Sequence, residues 1–360
     1  MSKNLRGQFK WWVGGIVSAS LMGACGMPEQ GPQEQAGQEE QATSDVQVRL
    51  SVGKSSLAAH EDAAVTVTFT NVGTRAARLL ERDLPGQGLR EGRFEVMLNG
   101  EDVAYVGPHI KYAPLTESDY VTLAPGESLT RTMELSGHYD LQKTGNYTLR
   151  YDLGAHGGAT RALASNDVTV WIEGRPSSLP QMEAMDVRAQ ALSTTGCTST
   201  QASSVSTAFN SAKTYSSGAL SYLTNTTPGN TARYKTWFGS YTSSGWSTAK
   251  SHFSSINSAF NNQAVVVSCA CTDSAYAYVY PSQPYKIYVC NAFWSAPNTG
   301  TDSKAGTLVH EMSHFTIVAG TDDWAYGQSA AKNLAISNPS KALDNADSHE
   351  YFAENTPAQN

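Results

Sequence analysis

The sequence predicts two domains of different class, an N-terminal all-β immunoglobulin-like sandwich and a C-terminal α+β domain. Its 360 residues suit about two domains. Between Asp45 and Gly174 apolar residues alternate in period two, while beyond Thr200 they recur in steps of three and four. Four of the five cysteines also lie in the second half, so the two halves differ in chemistry as well as in periodicity.

The elements follow in chain order. Lys3, Arg6 and Lys10 precede a short apolar run, Trp11 to Leu21, which reads as an export signal over residues 1–24. Leu21-Met22-Gly23-Ala24-Cys25 resembles a bacterial lipobox, with Met22 where Leu is preferred; it makes Cys25 the candidate lipidation site and a lipid anchor on the precursor the expectation. Ordinary cleavage after Ala24 is the alternative. Residues 25–44, rich in Gln, Glu, Gly and Pro, cannot bury a core and read as a tether. Val46-Val48-Leu50-Val52, Val65-Val67-Phe69, Phe94-Val96-Leu98, Tyr147-Leu149-Tyr151 and Val168-Val170-Ile172 each place apolar side chains on one face of a strand. Asn71-Val72-Gly73, Asn99-Gly100 and Ala124-Pro125-Gly126-Glu127 mark turns between them. Short strands at this spacing predict the sandwich over 45–174, which holds no cysteine and no cluster of catalytic residue types and reads as a folding or inhibitory partner.

Residues 175–192 contain Pro176 and Pro180 without periodicity and read as a linker open to proteolysis. The second domain then spans 193–360. Val205, Phe209, Ala212, Tyr215 and Leu223 recur at helical intervals, as do Trp246, Ala249, Phe253, Ile256 and Phe260. Val265 to Val267, Tyr276 to Tyr280 and Lys286 to Cys290 read as strands. A helix is expected from Ser303 to Thr316 and another from Gln328.

Charge excludes one class of function. A formal net charge of −7, with no basic patch, argues against a nucleic-acid partner. Cysteine usage agrees with export: with Cys25 set aside, Cys197, Cys269, Cys271 and Cys290 allow three pairings. Cys269 and Cys271 point the same way from a strand end and so cannot easily pair with each other.

The chemistry is concentrated in Thr307-Leu308-Val309-His310-Glu311-Met312-Ser313-His314-Phe315, an HExxH segment. Residues i and i+4 share a helix face, so His310 and His314 can grip one zinc ion, with Glu311 placed to take a proton from water beside the metal. A catalytic zinc typically takes three protein ligands. Downstream stand Asp322, Asp323, His349, Glu350 and Glu354, of which His349 is attractive by chemistry alone. A glycine-bearing loop, Gly320-Thr321-Asp322-Asp323-Trp324-Ala325-Tyr326-Gly327, could instead return the chain to its own metal face.

HExxH followed by a complete GTxDxxYG resembles the aspzincin metallopeptidases of the deuterolysin family. The resemblance implies a zincin-type metallopeptidase domain with one Zn²⁺, Asp323 as third metal ligand, Glu311 as general base and Tyr326 as a donor to the tetrahedral intermediate. Tyr234 to Tyr241 and Asn345 to Phe352 are similar to the peptidyl-Lys metalloendopeptidase branch. That branch implies Asp347 and Glu350 as the S1′ acids for lysine, and the disulfides Cys197–Cys269 and Cys271–Cys290. Its mature fungal enzymes lack the sandwich, which is therefore expected to be a removable pro-region of bacterial type. The expectation is a monomeric, exported zinc endopeptidase cutting on the amino side of lysine in proteins and peptides, extracellular once the precursor is processed. Its rivals are broad deuterolysin-like specificity, or a lipid-anchored surface binding protein with an inactive peptidase domain.

Overall fold

The structure, a computed structural model, describes residues 45–86, 88–154, 163–176 and 192–359. The expected signal, Cys25, the tether and most of the linker lie outside the described residues.

The N-terminal half is strand-rich: β1 (Val46–Val52), β2 (Ser56–Leu57), β3 (Ala64–Asn71), β4 (Ala77–Leu80), β5 (Phe94–Leu98), β6 (Glu101–Asp102), β7 (His109–Lys111), β8 (Tyr120–Leu123), β9 (Ser128–Glu134), β10 (Gly145–Tyr151) and β11 (Val168–Ile172). Alternation sets the buried faces: in β1, Val46, Val48 and Leu50 are buried while Gln47, Arg49 and Ser51 are exposed. Two sheets, ordered β1-β3-β9 and β2-β11-β10-β5-β6, share one apolar core containing Val67, Phe69, Phe94, Leu149 and Tyr151. A β4–β8 ribbon adds Leu79 and Leu123 to it.

The C-terminal half holds β12 (Leu192–Thr195), α1 (Ser199–Asn225), α2 (Ala232–Phe238), α3 (Ser243–Asn262), β13 (Val265–Ser268), β14 (Ala277–Val279), β15 (Lys286–Val289), α4 (Asn291–Ser295), α5 (Lys304–His314), α6 (Gln328–Ser337), α7 (Pro339–Leu343) and α8 (Ala346–Glu354). The aromatic stripes of α1 and α3 pack as core, with Phe209 edge-on to Phe260 at 5.3 Å. Cys197 is bonded to Cys269 and Cys271 to Cys290.

One strand breaks the division expected between the halves. The C-terminal sheet runs β12-β13-β15-β14-β7, so its outer strand comes from the N-terminal half. β7 pairs antiparallel with β14, with His109 opposite Val279, Ile110 opposite Tyr278 and Lys111 opposite Ala277. The segment 109–111 therefore does not belong to the two N-terminal sheets, because the edge of β14 offers it backbone partners.

The HExxH helix also ends earlier than expected. α5 starts at the Ser303 cap and stops at His314, with Phe315 leaving helical geometry at ψ 125°. Thr316 donates its N–H to the Pro281 carbonyl at 3.2 Å, which draws the chain off the helix before Gly320 turns it with φ +62°.

Candidate active site

Helix α5 is buried along its whole length from Ala305, wedged between α1 and α8. Its i, i+4 spacing brings the Nε2 atoms of His310 and His314 to 3.1 Å. The following loop returns through Thr321, whose N–H bonds the Ser313 carbonyl at 3.1 Å and whose carbonyl lies 2.7 Å from His314 Nδ1. That return places Asp323 beside both imidazoles. Its Oδ1 lies 3.3 Å from His310 Nε2 and its Oδ2 3.3 Å from His314 Nε2.

This donor set fits zinc. Tetrahedral zinc with bonds near 2.05 Å separates neighbouring ligand atoms by about 3.3 Å. Each histidine turns its other nitrogen to an acceptor, His314 to the Thr321 carbonyl and His310 to Asp347 Oδ1 at 2.9 Å, leaving both Nε2 lone pairs for a metal. Both Asp323 oxygens are buried without a hydrogen-bond partner among the described residues. Burial alone would raise Asp323, but His314 and His310 hold it well below the usual carboxylate range.

Glu311 lies on the same helix, and both its oxygens are buried without a hydrogen-bond partner among the described residues. Burial pushes its carboxyl up to about 7. A carboxylate poised near neutrality suits a general base. His349 is elsewhere: it packs against Phe238 and Phe253 and lies 2.9 Å from His252 Nδ1. Asp322, half exposed, faces His109.

Asp347 and Glu350 stand one turn apart on α8 and converge on the ammonium of Lys111, at 3.1 and 2.6 Å. Lys111 is 2 % exposed, and the rings of Tyr276 and Tyr351 flank its Nζ at 5.5 and 5.9 Å. The preceding carbonyl, of Ile110, lies 3.1 Å from the Tyr326 hydroxyl, which is also 3.2 Å from Glu91 Oε1. Burial, reinforced by the Asp323 charge, holds that phenol well above its ordinary value, so it remains a donor.

Several residues of this arrangement escaped the sequence reading. The region 45–174 has three lysines, Lys54, Lys111 and Lys143, and nothing local distinguishes Lys111. Glu91, paired with Arg93 at 2.6 Å, accepts the Ile110 N–H at 3.0 Å and fixes β7 from the N-terminal side. Asn345 accepts the N–H groups of Trp324 and Ala325 at 2.9 Å and holds the Asp323 loop. Gly306 lies where a side chain would meet Glu354 Oε1 at 2.1 Å and Glu350 Oε1 at 2.9 Å. A glycine inside a helix was the available signal for Gly306.

Comparison with known proteins covers both halves. The family profile Aspzincin M35, described as lysine-specific metallo-endopeptidase, matches residues 222–354. An extracellular protease of Aeromonas hydrophila is 44% identical over 313 residues, 83% of this chain and 90% of the relative. A peptidyl-Lys metalloendopeptidase of Armillaria mellea is 39% identical over 323 residues, covering 85% of this chain and 91% of its own length. An alignment of that length includes the strand-rich half, which therefore has a counterpart in a fungal relative. The solved zinc peptidase from Grifola frondosa is 52% identical and is covered completely, against 46% of this chain, with a TM-score of 0.44.

Proposed function

The chain belongs to the aspzincin family of zinc metalloendopeptidases, and on that footing we propose that it cleaves peptide bonds on the amino side of lysine after export as a precursor. One observation carries the lysine preference: the chain's own Lys111 fills a buried pocket between Asp347 and Glu350. The peptide bond before it, Ile110–Lys111, meets Tyr326 at its carbonyl as a scissile bond would. The names of the relatives agree with both parts, since one is called an extracellular protease and another a peptidyl-Lys metalloendopeptidase.

In this reading His310 Nε2, His314 Nε2 and Asp323 hold the zinc. Zinc, when bound, supplies Lewis-acid polarisation of the carbonyl and lowers the pKa of water. Glu311 takes the proton of the attacking water as its oxygen bonds to the carbonyl carbon. Tyr326 donates to the carbonyl oxygen as negative charge gathers there. When the C–N bond breaks, Glu311 passes the proton to the leaving amine. Asp347 and Glu350 fix the P1′ ammonium, and the rings of Tyr276 and Tyr351 flank it.

We read residues 45–174 as an immunoglobulin-like pro-region, with β7 occupying the substrate strand on β14, and residues 193–360 as the catalytic domain. Strand addition supplies backbone pairing, and the lysine supplies specificity. Activity then requires cleavage in the 175–192 segment and departure of the pro-region. The test is digestion of a protein of known sequence by the processed enzyme, with mass-spectrometric mapping of every cut. Cuts before lysine are expected; cuts spread over many P1′ residues would replace the lysine reading with broad specificity. A species retaining the strand-rich half at full activity would overturn the pro-region reading.

A further inference from the structure

A lysine-directed site that already holds an Xaa–Lys bond needs a reason not to cut it, and β7 carries one. His109 precedes Lys111 by two residues, so the two side chains leave the strand on the same face. With Lys111 seated in its pocket, the register delivers His109 to the metal ligands. Its ring centroid lies 4.8 Å from that of His314, and ligand atoms of His109, His314 and Asp323 all lie within 4.8 Å of one another. His109 Nδ1 is 3.5 Å from Asp322 Oδ1, a carboxylate able to orient one ring nitrogen and free the other. The strand is held against drift by Glu91 on the Ile110 N–H and by the Tyr276 N–H on the Lys111 carbonyl at 2.8 Å.

We propose that His109 is a latency ligand: in the precursor its imidazole completes the zinc coordination and takes the place that the attacking water needs. Resting on the zinc site proposed above, this makes Ile110–Lys111 an inhibitor although Tyr326, Asp347 and Glu350 engage it as substrate. Catalytic zinc keeps one position open, whereas a site with four protein ligands is closed. Withdrawal of β7 would reopen it in the same event that empties the lysine pocket.

The test uses the full precursor kept whole by Glu311→Ala, loaded with zinc and measured by X-ray absorption. Three imidazoles per zinc are expected, falling to two with an added oxygen in His109→Ala. His109→Gln, closer in size, guards against a folding defect and should give the same count of two. An unchanged imidazole count in both variants would overturn the proposal. Asp323→Ala combined with His109→Ala in the same background is the control: with only two imidazoles left, zinc retained there would refute the ligand set itself rather than the part given to His109. With Glu311 intact, His109→Ala should also cut its own Ile110–Lys111 bond. The attacking water adds to the Ile110 carbonyl carbon, the C–N bond breaks and the amine leaves protonated, giving a new chain that begins at Lys111.

Discussion

At the scale of single residues, Asp347 and Glu350 share Lys111 and His310, but Asp347 stands closer to the imidazole Nδ1, at 2.9 Å against 3.4 Å. Asp347 also accepts the Gly327 N–H at 2.6 Å, and Lys111 and His310 pull its carboxyl down to about 2 against the effect of burial. Burial instead raises Glu350 above its ordinary value. The two substitutions should therefore differ in kind. In the processed enzyme, Glu350→Gln is expected to raise KM for lysine substrates and blur the choice of P1′ while leaving zinc bound. Asp347→Asn should in addition weaken zinc about 10- to 100-fold, as loss of a carboxylate behind a metal-binding histidine does. Zinc titration of both variants beside their cleavage kinetics checks this; equal zinc affinity would remove Asp347 from the metal's support. The HExxH and GTxDxxYG motifs made the convergence of His310, His314 and Asp323 legible, because their spacing acts over one helix turn and one short loop. Asp347's second task was not legible, since it depends on how α8 lies against α5.

At the scale of elements, α5 and α8 are packed so closely that Gly306 and Glu354 form one unit. Glu354 accepts the Ser303 N–H at 2.9 Å and its hydroxyl at 2.7 Å, at the N-terminal end of the HExxH helix. Gly306→Ala has no room: the added carbon would overlap Glu354 and crowd Glu350. A cost of about 1–3 kcal/mol is expected, read as a lower Tm, together with impaired lysine selection as Glu350 is displaced. An unaltered Tm and cleavage pattern would show that the helices can part freely. Glu354 also links stability to pH. Burial, with the Glu350 charge nearby, pushes its carboxyl up to about 9. A group raised on folding contributes most below its unfolded pKa and loses that contribution as pH rises through the folded value. Glu354→Gln should therefore gain in Tm relative to the parent between pH 5 and pH 9, and a constant difference across that range would contradict the buried neutral acid.

At the scale of the whole molecule, the two halves are joined at the site itself by β7. Lys111 brings its charge to two buried carboxylates, and removing one partner of a buried ion pair typically costs about 3–5 kcal/mol. Lys111→Gln in the precursor is expected to lower Tm and to loosen the strand-rich half from the site, giving peptidase activity in the uncut chain. Thermal unfolding and a lysine-containing peptide assay on the intact chain measure both. Full latency with unchanged stability would mean that His109 and the backbone pairing of β7 close the site without the lysine. None of this was legible in 45–174, where alternation marks the strands that bury a core but not a three-residue strand that pairs with another domain.

By itself the sequence pointed to the metal chemistry and the class of each half, because these follow from helix period, short-loop spacing and strand alternation. Only the tertiary structure decided what occupies the site. Lys111 and Asp347 are 236 residues apart, and their meeting depends on a strand added to the edge of a distant sheet, for which no local pattern exists.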